Sequence, residues 1–472
     1  MLPMFLAVMD QTIVATALPA IAAEMGQVER SSWIVVSYLI AATIAAPVYG
    51  RLGDSFGRRR MMFVALSVFI VTSLLCALAP SMTLLAIARF LQGLGGGGLM
   101  TLSQALIGES IPPRERARYQ GYLAAVAVTA NTFGPVVGGF LTEHFGWRSI
   151  FFVSVPIGML ALALALRLPK RTMAERLPWR ADPGGLLFFA VFVVTTLLAL
   201  EQVHHFDASA IPRGLGLLFI GLISFALLIW QEKRAESPLI PLGILRMPAI
   251  WRSDALAACH GAALVSLITF LPVYLQVVRG ASPAQSGFLL MPLTVGIGVG
   301  SLITGRLVSR TGRTTIFPVI GLALMTLIFL FFALFSGRLS TSVLMPILLA
   351  SGLFMGTVMG VVQVMVQSTA GPLRLGEAAA SVQLSRSIGA ATGTALVSTV
   401  LFTYLAIRNP DAAHVFSQML QHAPHTTPPI NPEQRALLQA DIADAFRAAF
   451  LVITGFTTCG FLLALTNPLR RI

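Results

Sequence analysis

The chain has 472 residues, of which 56% are hydrophobic and 11% are charged, and its mean hydropathy is +0.82. Soluble domains carry about 25% charged residues, so this composition excludes a soluble globular protein and predicts a membrane protein with many spans. The formal net charge of +13 does not indicate nucleic-acid binding, because the basic residues lie in short loops between apolar runs rather than along one face.

Apolar runs of about 20 residues, the length that crosses a bilayer as a helix, follow one another along the chain. The first begins almost at Met1 and lacks the basic region and cleavage site of a signal peptide, so we expect it to be a span. The predicted spans are 2–23, 32–49, 61–79, 82–106, 118–141, 149–168, 183–201, 211–230, 253–277, 283–304, 315–335, 341–366, 378–404 and 442–466. This series of about 14 helices predicts an all-α polytopic membrane protein.

Basic residues fall mostly on one side of the predicted spans. Clusters such as Arg58–Arg60 and Arg114–Arg118 follow even-numbered spans, whereas the loops on the other side contain fewer arginines. By the positive-inside rule the richer side is cytoplasmic. An even number of spans then places both termini in the cytoplasm.

Cysteine and histidine residues are interpreted as structural. Cys76, Cys259 and Cys459 lie in separate apolar runs without C-x-x-C spacing, so we expect small core residues. His260 lies within span 9 without a clustered partner, which favours a buried core histidine over a metal ligand. The outer loop 408–444 is rich in Pro, His and Gln and is expected to be solvated. No metal site is predicted.

Two cytoplasmic loops share a pattern. GRLGDSFGRRR at 50–60 and GRLVSRTGR at 305–313 each contain G-R-L, then a glycine seven residues after the first, then arginine. Repeats of this kind are how secondary transporters are built, with the substrate site between the halves. Any short cytoplasmic loop can be rich in Gly and Arg, but the matching position in both halves favours a repeat.

The first loop, GRLGDSFGRRRMM, resembles motif A of the major facilitator superfamily. Three further stretches are similar to motifs of that family: MDQTIVATALPAI in span 1, RFLQGLGGGG in span 4 and TANTFGPVVGG in span 5. GWRSIFFVSVPIG at the start of span 6 resembles the branch of 14-helix drug:proton antiporters. The resemblance implies two six-helix bundles, residues 1–168 and 253–472, joined by a segment 169–252 that contains two extra central helices.

The same resemblance implies proton-driven export of lipophilic, often cationic small molecules across the bacterial cytoplasmic membrane, with no cofactor. A dedicated proton-coupled exporter of one metabolite or siderophore is the alternative, and the sequence leaves open a hand-over to a periplasmic adaptor protein. Span 10 contains no carboxylate, which favours monocations, zwitterions or neutral lipophiles over divalent cations. The sequence contains no P-loop, H-E-x-x-H or G-x-S-x-G motif, which argues against an ATP-driven pump and an enzyme.

Asp10 and Arg89 are singled out as charged residues within predicted spans. Asp10 is near the middle of span 1 and Arg89 is in span 4, where an arginine costs about 2.5–3.5 kcal/mol on insertion scales. A buried carboxylate can load a proton from one side and release it to the other as access alternates. The resemblance implies that Arg89 takes part in proton transfer, and Asp10 is a candidate partner. Packing alone is the alternative for each.

Glycines in spans 4 and 5 are interpreted as helix-packing faces. Three of those in span 4 match G-x-G-x-x-G, but the strand–turn–helix setting of a dinucleotide site is missing. The span 4 set is Gly93, Gly95, Gly96, Gly97 and Gly98, and the span 5 motif is Gly134, Pro135, Gly138 and Gly139. We expect Pro135 to kink its helix and the span 5 glycines to allow close contact. The resemblance associates this motif with antiporters.

The first motif A copy predicts a cytoplasmic gate. Its candidate residues are Gly50, Asp54, Gly57, Arg58 and Arg59. Asp54 and Arg58 are expected to form an exposed pair that contributes less than about 1 kcal/mol. The resemblance implies that Asp54 latches helix ends, whereas the arginines also fit a simple orientation signal.

Polar residues at membrane depth are candidates for lining a substrate cavity, because a few polar groups in an apolar wall orient a ligand. They are Gln11, Gln92, Gln104, Asn131, Gln276, Gln363, Gln367 and Gln383.

Overall fold

Helices account for nearly all of the described chain. The computed structural model describes residues 1–25, 32–168, 182–203, 210–235, 238–239, 242–335, 341–409, 416 and 432–472. The helices are α1 (Leu2–Met25), α2 (Ser32–Phe56), α3 (Arg58–Ala77), α4 (Met82–Ser110), α5 (Pro113–Phe145), α6 (Ser149–Leu166), α7 (Pro183–Val203), α8 (Ala210–Glu232), α9 (Leu242–Leu245), α10 (Pro248–Val277), α11 (Pro283–Thr311), α12 (Ile316–Phe335), α13 (Thr341–Met355), α14 (Met359–Ala370), α15 (Leu375–Arg408) and α16 (Pro432–Thr466). Within these ranges the only β-type pairing is one bridge between Arg313 and Arg471.

Eleven helical segments of the described chain are long and apolar enough to cross a membrane. The glycine-rich α4 and the shorter apolar helices of α7 and α8 lie at the other predicted spans. The protein is therefore an all-α, multi-pass membrane protein. Predicted span 341–366 is divided by a turn at 356–358 into α13 and α14.

Most of the predicted outer loop 408–444 lies outside the described residues, but its end does not form a loop. α16 begins at Pro432, about ten residues before the predicted span 442–466. Proline is favoured at the first position of a helix, and the Ala, Leu and Gln residues that follow favour helix formation. The expectation of a loop is wrong for residues 432–444, which are helical.

The described helices pack in two groups, with α7 and α8 paired at their side. In the first group, α1–α6 surround buried residues such as Tyr38 and Phe69. In the second, α10–α16 surround an aromatic cluster in which the ring centroids of Phe332 and Phe450 are 4.6 Å apart.

The two groups meet through α2 with α15 and through α5 with α11. A Cβ at Gly50 in α2 would lie 2.6 Å from the carbonyl oxygen of Gly376 in α15, and a Cβ at Gly305 in α11 would collide with the carbonyl oxygen of Ala117 in α5. Gly50 and Gly305 are the first glycines of the two repeated loops. Each repeat copy therefore places a glycine where one group crosses the other.

The predicted packing glycines differ in their surroundings. Gly93 and Gly97 of α4 face backbone carbonyls of α2, and a Cβ at Gly95 would lie 2.9 Å from the backbone nitrogen of Phe69 in α3. Gly96 and Gly98 face the rings of Tyr38 and Tyr49.

In α5, Gly134 and Gly138 face Thr12 and Thr16 of α1, but no atom lies within 4 Å of a Cβ at Gly139. The expectation of close contact is wrong for Gly139, because it is rotated by about 100° from Gly138 around the helix. α5 continues through Pro135.

The cysteines also differ from expectation. Cys76 is buried and Cys259 is half-buried, whereas Cys459 is exposed on α16 and is not a core residue. His260 is buried, with its Nε2 atom 3.2 Å from the carbonyl oxygen of Met355, as expected for a core histidine.

We predict that Gly93→Ala destabilises the protein, whereas Gly139→Ala does not. The added methyl at position 93 would overlap the backbone of Tyr38, and overpacking costs about 1–3 kcal/mol. At position 139 the methyl meets open space. Thermal unfolding of the detergent-purified variants measures the difference, and equal midpoints would contradict it.

Candidate functional site

The first four helices converge on a buried ion pair. Arg89 Nη1 in α4 lies 2.5 Å from Asp10 Oδ2 in α1, and both side chains are at most 1% exposed. Gln92 Nε2 donates to Asp10 Oδ1 at 3.0 Å and to Ser73 Oγ of α3 at 2.8 Å. The two charges predicted at membrane depth are thus direct partners.

Arg89 is held by more than Asp10. Its Nε donates to the carbonyl oxygen of Ile34 at 3.2 Å, and its Cζ lies 4.3 Å from the ring centroid of Tyr38. Both contacts come from α2, and Gln92 Oε1 accepts from Arg89 Nη1 at 2.6 Å. The guanidinium is therefore fixed to α2 and α4, while the carboxylate is carried by α1.

This arrangement links the charge of Asp10 to the position of α1. Its carboxylate is acceptable in a dry site only while Arg89 and Gln92 offset its charge. A movement of α1 that separates the carboxylate from Arg89 would leave a buried, unpaired ion, and uptake of a proton would remove that cost. Separation of the pair and neutralisation of the Asp10 carboxylate are therefore energetically linked.

A second cluster joins the two helix groups at the membrane face that carries Arg58–Arg60 and Arg114–Arg118, here called the basic face. Asp54 Oδ1 accepts from the backbone nitrogen of Gly376 at 2.9 Å, and Oδ2 accepts from that of Glu377 at 3.0 Å. These amides belong to the first turn of α15, where no helical acceptor exists and negative charge is favoured. Asp54 therefore caps a helix of the opposite group.

Arginines add to these contacts between the two groups, and the resulting cluster of Asp54, Arg58, Arg51 and Glu377 is here called the latch. Arg58 Nη2 lies 2.5 Å from Asp54 Oδ1 and donates to the carbonyl oxygen of Pro372 at 3.2 Å. Arg51 forms an ion pair with Glu377. Glu377 was not among the residues predicted from the sequence, because an acid at the edge of a span has no motif of its own.

The expectation of an exposed Asp54–Arg58 pair is wrong, since both side chains are fully buried under α15. Arg59 behaves differently: its Nη2 donates to the carbonyl oxygen of Leu166 at 2.9 Å, within its own helix group. Gly57 has a positive φ of 100° at the break between α2 and α3, a conformation that favours glycine.

A cleft of about 90 Å³ lies between the two groups, deeper in the membrane than the latch. Gln11 of α1, Gly97 and Met100 of α4, and Gln383 and Arg386 of α15 are among its lining residues. Arg386 follows Glu377 by nine positions, which corresponds to about 14 Å along a helix.

The other predicted cavity residues lie elsewhere. Gln92 belongs to the ion-pair network, and Gln276 Nε2 donates to Ser286 Oγ at 3.0 Å within the second group. Gln367 Nε2 donates to the carbonyl oxygen of Gln104 at 3.1 Å, which is a contact between the groups. Gln363 is buried, and Asn131 is exposed on α5.

Two membrane-depth charges were missed. Arg386 lies in predicted span 378–404, and the buried Asp254 lies in span 253–277, where Ser381 Oγ is 3.4 Å from its Oδ1. The signal that identified Asp10 and Arg89, a charge within an apolar run, was present for both.

Comparison with known proteins identifies the class. The family model of the Major Facilitator Superfamily matches residues 1–394, so the chain belongs to that superfamily. The human organic anion transporter MFSD10 (TETRAN) superposes with a TM-score of 0.66 at 16% identity, over 98% of this chain and 97% of that one. At this identity the likeness concerns the fold alone.

Two relatives are more similar to this chain in sequence than the human transporter is. An uncharacterized MFS-type transporter of Mycobacterium tuberculosis (strain ATCC 25618 / H37Rv) is 34% identical over 466 residues, which cover 96% of this chain and 66% of that protein. Multidrug transporter protein MdtP of Bacillus subtilis (strain 168) is 30% identical over 404 residues, 84% of this chain and 73% of that protein. The chain thus spans about two thirds of the length of its mycobacterial relative.

We predict strong coupling between Asp10 and Arg89. Arg89→Gln alone should cost about 3–5 kcal/mol of unfolding free energy, because it leaves a buried carboxylate unpaired. The double variant Asp10→Asn/Arg89→Gln should cost less than this single variant. Denaturant unfolding in detergent micelles measures the change for Asp10→Asn, for Arg89→Gln and for the double variant, which together give the coupling energy.

The matched control is the pair between Arg148 and Glu24, whose side chains are 40% and 53% exposed. A cycle with Glu24→Gln and Arg148→Gln should show a coupling of about 0–1 kcal/mol. Similar coupling energies in the two cycles would contradict the assigned importance of burial.

We also predict that Asp54→Asn opens the basic face. Loss of the charge-assisted bonds to α15 should change the ratio of open to closed molecules by about 10- to 100-fold. Spin labels at Arg60→Cys and Arg310→Cys, on exposed positions of opposite groups, report this as a longer distance in a background without native cysteines. Glu109→Gln is the control, because the contact of Glu109 with Arg58 lies within the first group. An unchanged distance distribution in Asp54→Asn would show that Asp54 is not a latch.

Proposed function

We propose that the protein exports lipophilic small molecules across the bacterial cytoplasmic membrane in exchange for protons. The observation that carries this proposal is the buried Asp10–Arg89 pair, because a carboxylate with a fixed cationic partner can couple proton binding to helix movement. The name of the relative MdtP, a multidrug transporter protein, supports lipophilic drugs as the substrate class.

The two moving units are residues 1–168 and 253–472, with residues 169–252 between them. In the described state, the latch of Asp54, Arg58 and Glu377 holds these units together at the basic face. The central cleft lies beyond that closed face. Alternating access would break the latch and open the cleft to the other side of the membrane.

The orientation follows from charge. Arginine-rich loops are retained in the cytoplasm, so the basic face is the cytoplasmic face, and both chain ends of the described spans lie there. The described state is then closed toward the cytoplasm. In this state a substrate would leave toward the outside of the cell, and a proton would enter the protein from the outside.

The proton gradient is a sufficient energy source, and no cofactor is needed. Maintaining a 100-fold higher substrate concentration outside requires about 2.7 kcal/mol. One proton moving inward supplies about 2.3 kcal/mol per 100 mV of membrane potential and about 1.4 kcal/mol per pH unit. One proton per substrate molecule therefore meets this demand.

A dedicated exporter of one metabolite or siderophore is the second candidate, because the cleft is small in the described state. Competition between unrelated lipophilic compounds separates the two candidates. Inhibition by many of them supports multidrug export, whereas inhibition by close analogues alone supports the dedicated exporter. Transport by the purified protein would also show that a periplasmic adaptor is not required.

We predict that Asp10→Asn abolishes gradient-driven transport. Purified protein in liposomes with an imposed pH gradient is followed with three fluorescent lipophilic compounds, one cationic, one neutral and one anionic. Glu24→Gln is the control, since Glu24 is an exposed carboxylate on the same helix. Transport that survives in Asp10→Asn would place proton coupling at another residue.

A further inference from the structure

Among the described residues, one charged side chain lines the central cleft, and its charge is positive. Arg386 of α15 lines the cleft together with Gln11, Gln383 and Ser387, while Leu39 and Met100 contribute apolar surface. Cations within a membrane are costly and are normally paired with an acid. The partner of Arg386 therefore decides what the cleft can bind.

No acid of the described chain pairs with Arg386 within 4.0 Å. Two carboxylates are paired with other arginines: Asp10 binds Arg89 and Gln92, and Glu377, nine positions before Arg386, binds Arg51. Asp254 contacts Ser381, more than one turn before Arg386 on α15. The guanidinium thus keeps hydrogen-bonding capacity for a group from outside the protein.

The backbone at Arg386 is rigidly placed. Its carbonyl oxygen packs directly against Gly261 of α10, where any larger residue would collide. Three residues further along α15, Gly389 packs in the same way against Ala258. The close contact of α10 and α15 fixes the origin of the side chain, which limits the entropy lost when a ligand binds.

The depth of Arg386 argues against a lipid headgroup as its partner. It follows Leu375, the first residue of α15, by eleven positions, or about 16 Å of helix. This is about half the thickness of a 30 Å hydrocarbon core. A soluble amphipathic molecule can reach that depth through the cleft.

We propose that the cleft recognises lipophilic molecules that carry a carboxylate or a similar monoanionic group, with Arg386 as the anion-binding residue. The guanidinium offers two parallel N–H groups that match a carboxylate. Gln11, Gln383 and Ser387 supply further hydrogen bonds, and the apolar surface receives the hydrocarbon part. The proposal rests on the export function and narrows its substrate class, in contrast to the cations that the motif resemblance implies.

Equilibrium binding without a gradient tests the proposal independently of transport. Protein in lipid nanodiscs is titrated calorimetrically with 2-naphthylacetate, its neutral amide 2-naphthylacetamide and the cation 2-(2-naphthyl)ethylammonium, with empty nanodiscs as the blank. We expect the wild-type protein to bind the anion most tightly. Arg386→Gln should weaken anion binding by about 10- to 100-fold and should change amide binding by less than about twofold, because the amide makes no charge-assisted bond.

Two further variants sharpen the result. Arg118→Gln, which removes an exposed arginine of the basic face, should leave all three affinities unchanged. Arg386→Glu should reverse the preference toward the cation. If Arg386→Gln does not fold, Arg386→Lys replaces it and should retain the preference for the anion with lower affinity, since an ammonium group lacks the planar fork.

Equal anion affinity in the wild type and Arg386→Gln, or no preference of the wild type for the anion, would overturn the proposal. Gradient-driven transport without anion preference would leave the export function intact and remove only this inference. Anion binding that depends on Arg386 without gradient-driven transport would support this inference and contradict the proposed export function.

Discussion

An ion within a bilayer must be paired, and the buried contact between Asp10 and Arg89 is where the first helix group meets this requirement. The network around the pair connects four helices: Arg89 on α4 bonds to Asp10 on α1 and to the carbonyl oxygen of Ile34 on α2, and Gln92 on α4 donates to Asp10 and to Ser73 on α3. These helices cannot move independently without exposing a charge to an apolar surrounding. In the proposed function, the same constraint makes the first group responsive to protonation of Asp10.

The two groups are joined by contacts of a different kind. Glycines at both repeat copies let the backbones of opposite groups approach closely, and this packing is spread over two helix crossings. Asp54 adds a directed contact at one of them, because it caps the first turn of α15. At the second crossing Ser309 stands where the first copy has Asp54, and Arg114 Nη2 of α5 donates to the carbonyl oxygen of Arg310 of α11 at 3.4 Å. The carboxylate that caps a helix of the opposite group belongs to the first crossing.

Charges that are paired within the protein have a different role from the charge of Arg386. Asp10, Arg89, Asp54 and Arg58 are offset by protein groups and hold one conformation. Arg386 faces the cleft without an acidic partner among the described residues. A transporter has to bind its cargo reversibly, and a side chain whose charge is not already offset is the one available for that contact.

The sequence by itself determined the class of fold. The length of each apolar run and the alternation of basic loops are local properties, and they decide which segments cross a bilayer and in which orientation. It also identified Asp10 and Arg89 as charges within apolar runs, and the same signal was present for Asp254 and Arg386, which were missed. Only the tertiary structure decided which charges meet: Arg89 is 79 positions from Asp10, and Gly376 is 322 positions from Asp54. Only the tertiary structure decided which residues are buried, too. The Asp54–Arg58 pair is covered by a helix of the opposite group, and Gly139 differs from Gly138 only in the direction it faces. Such differences depend on what packs against a residue, which local sequence does not contain.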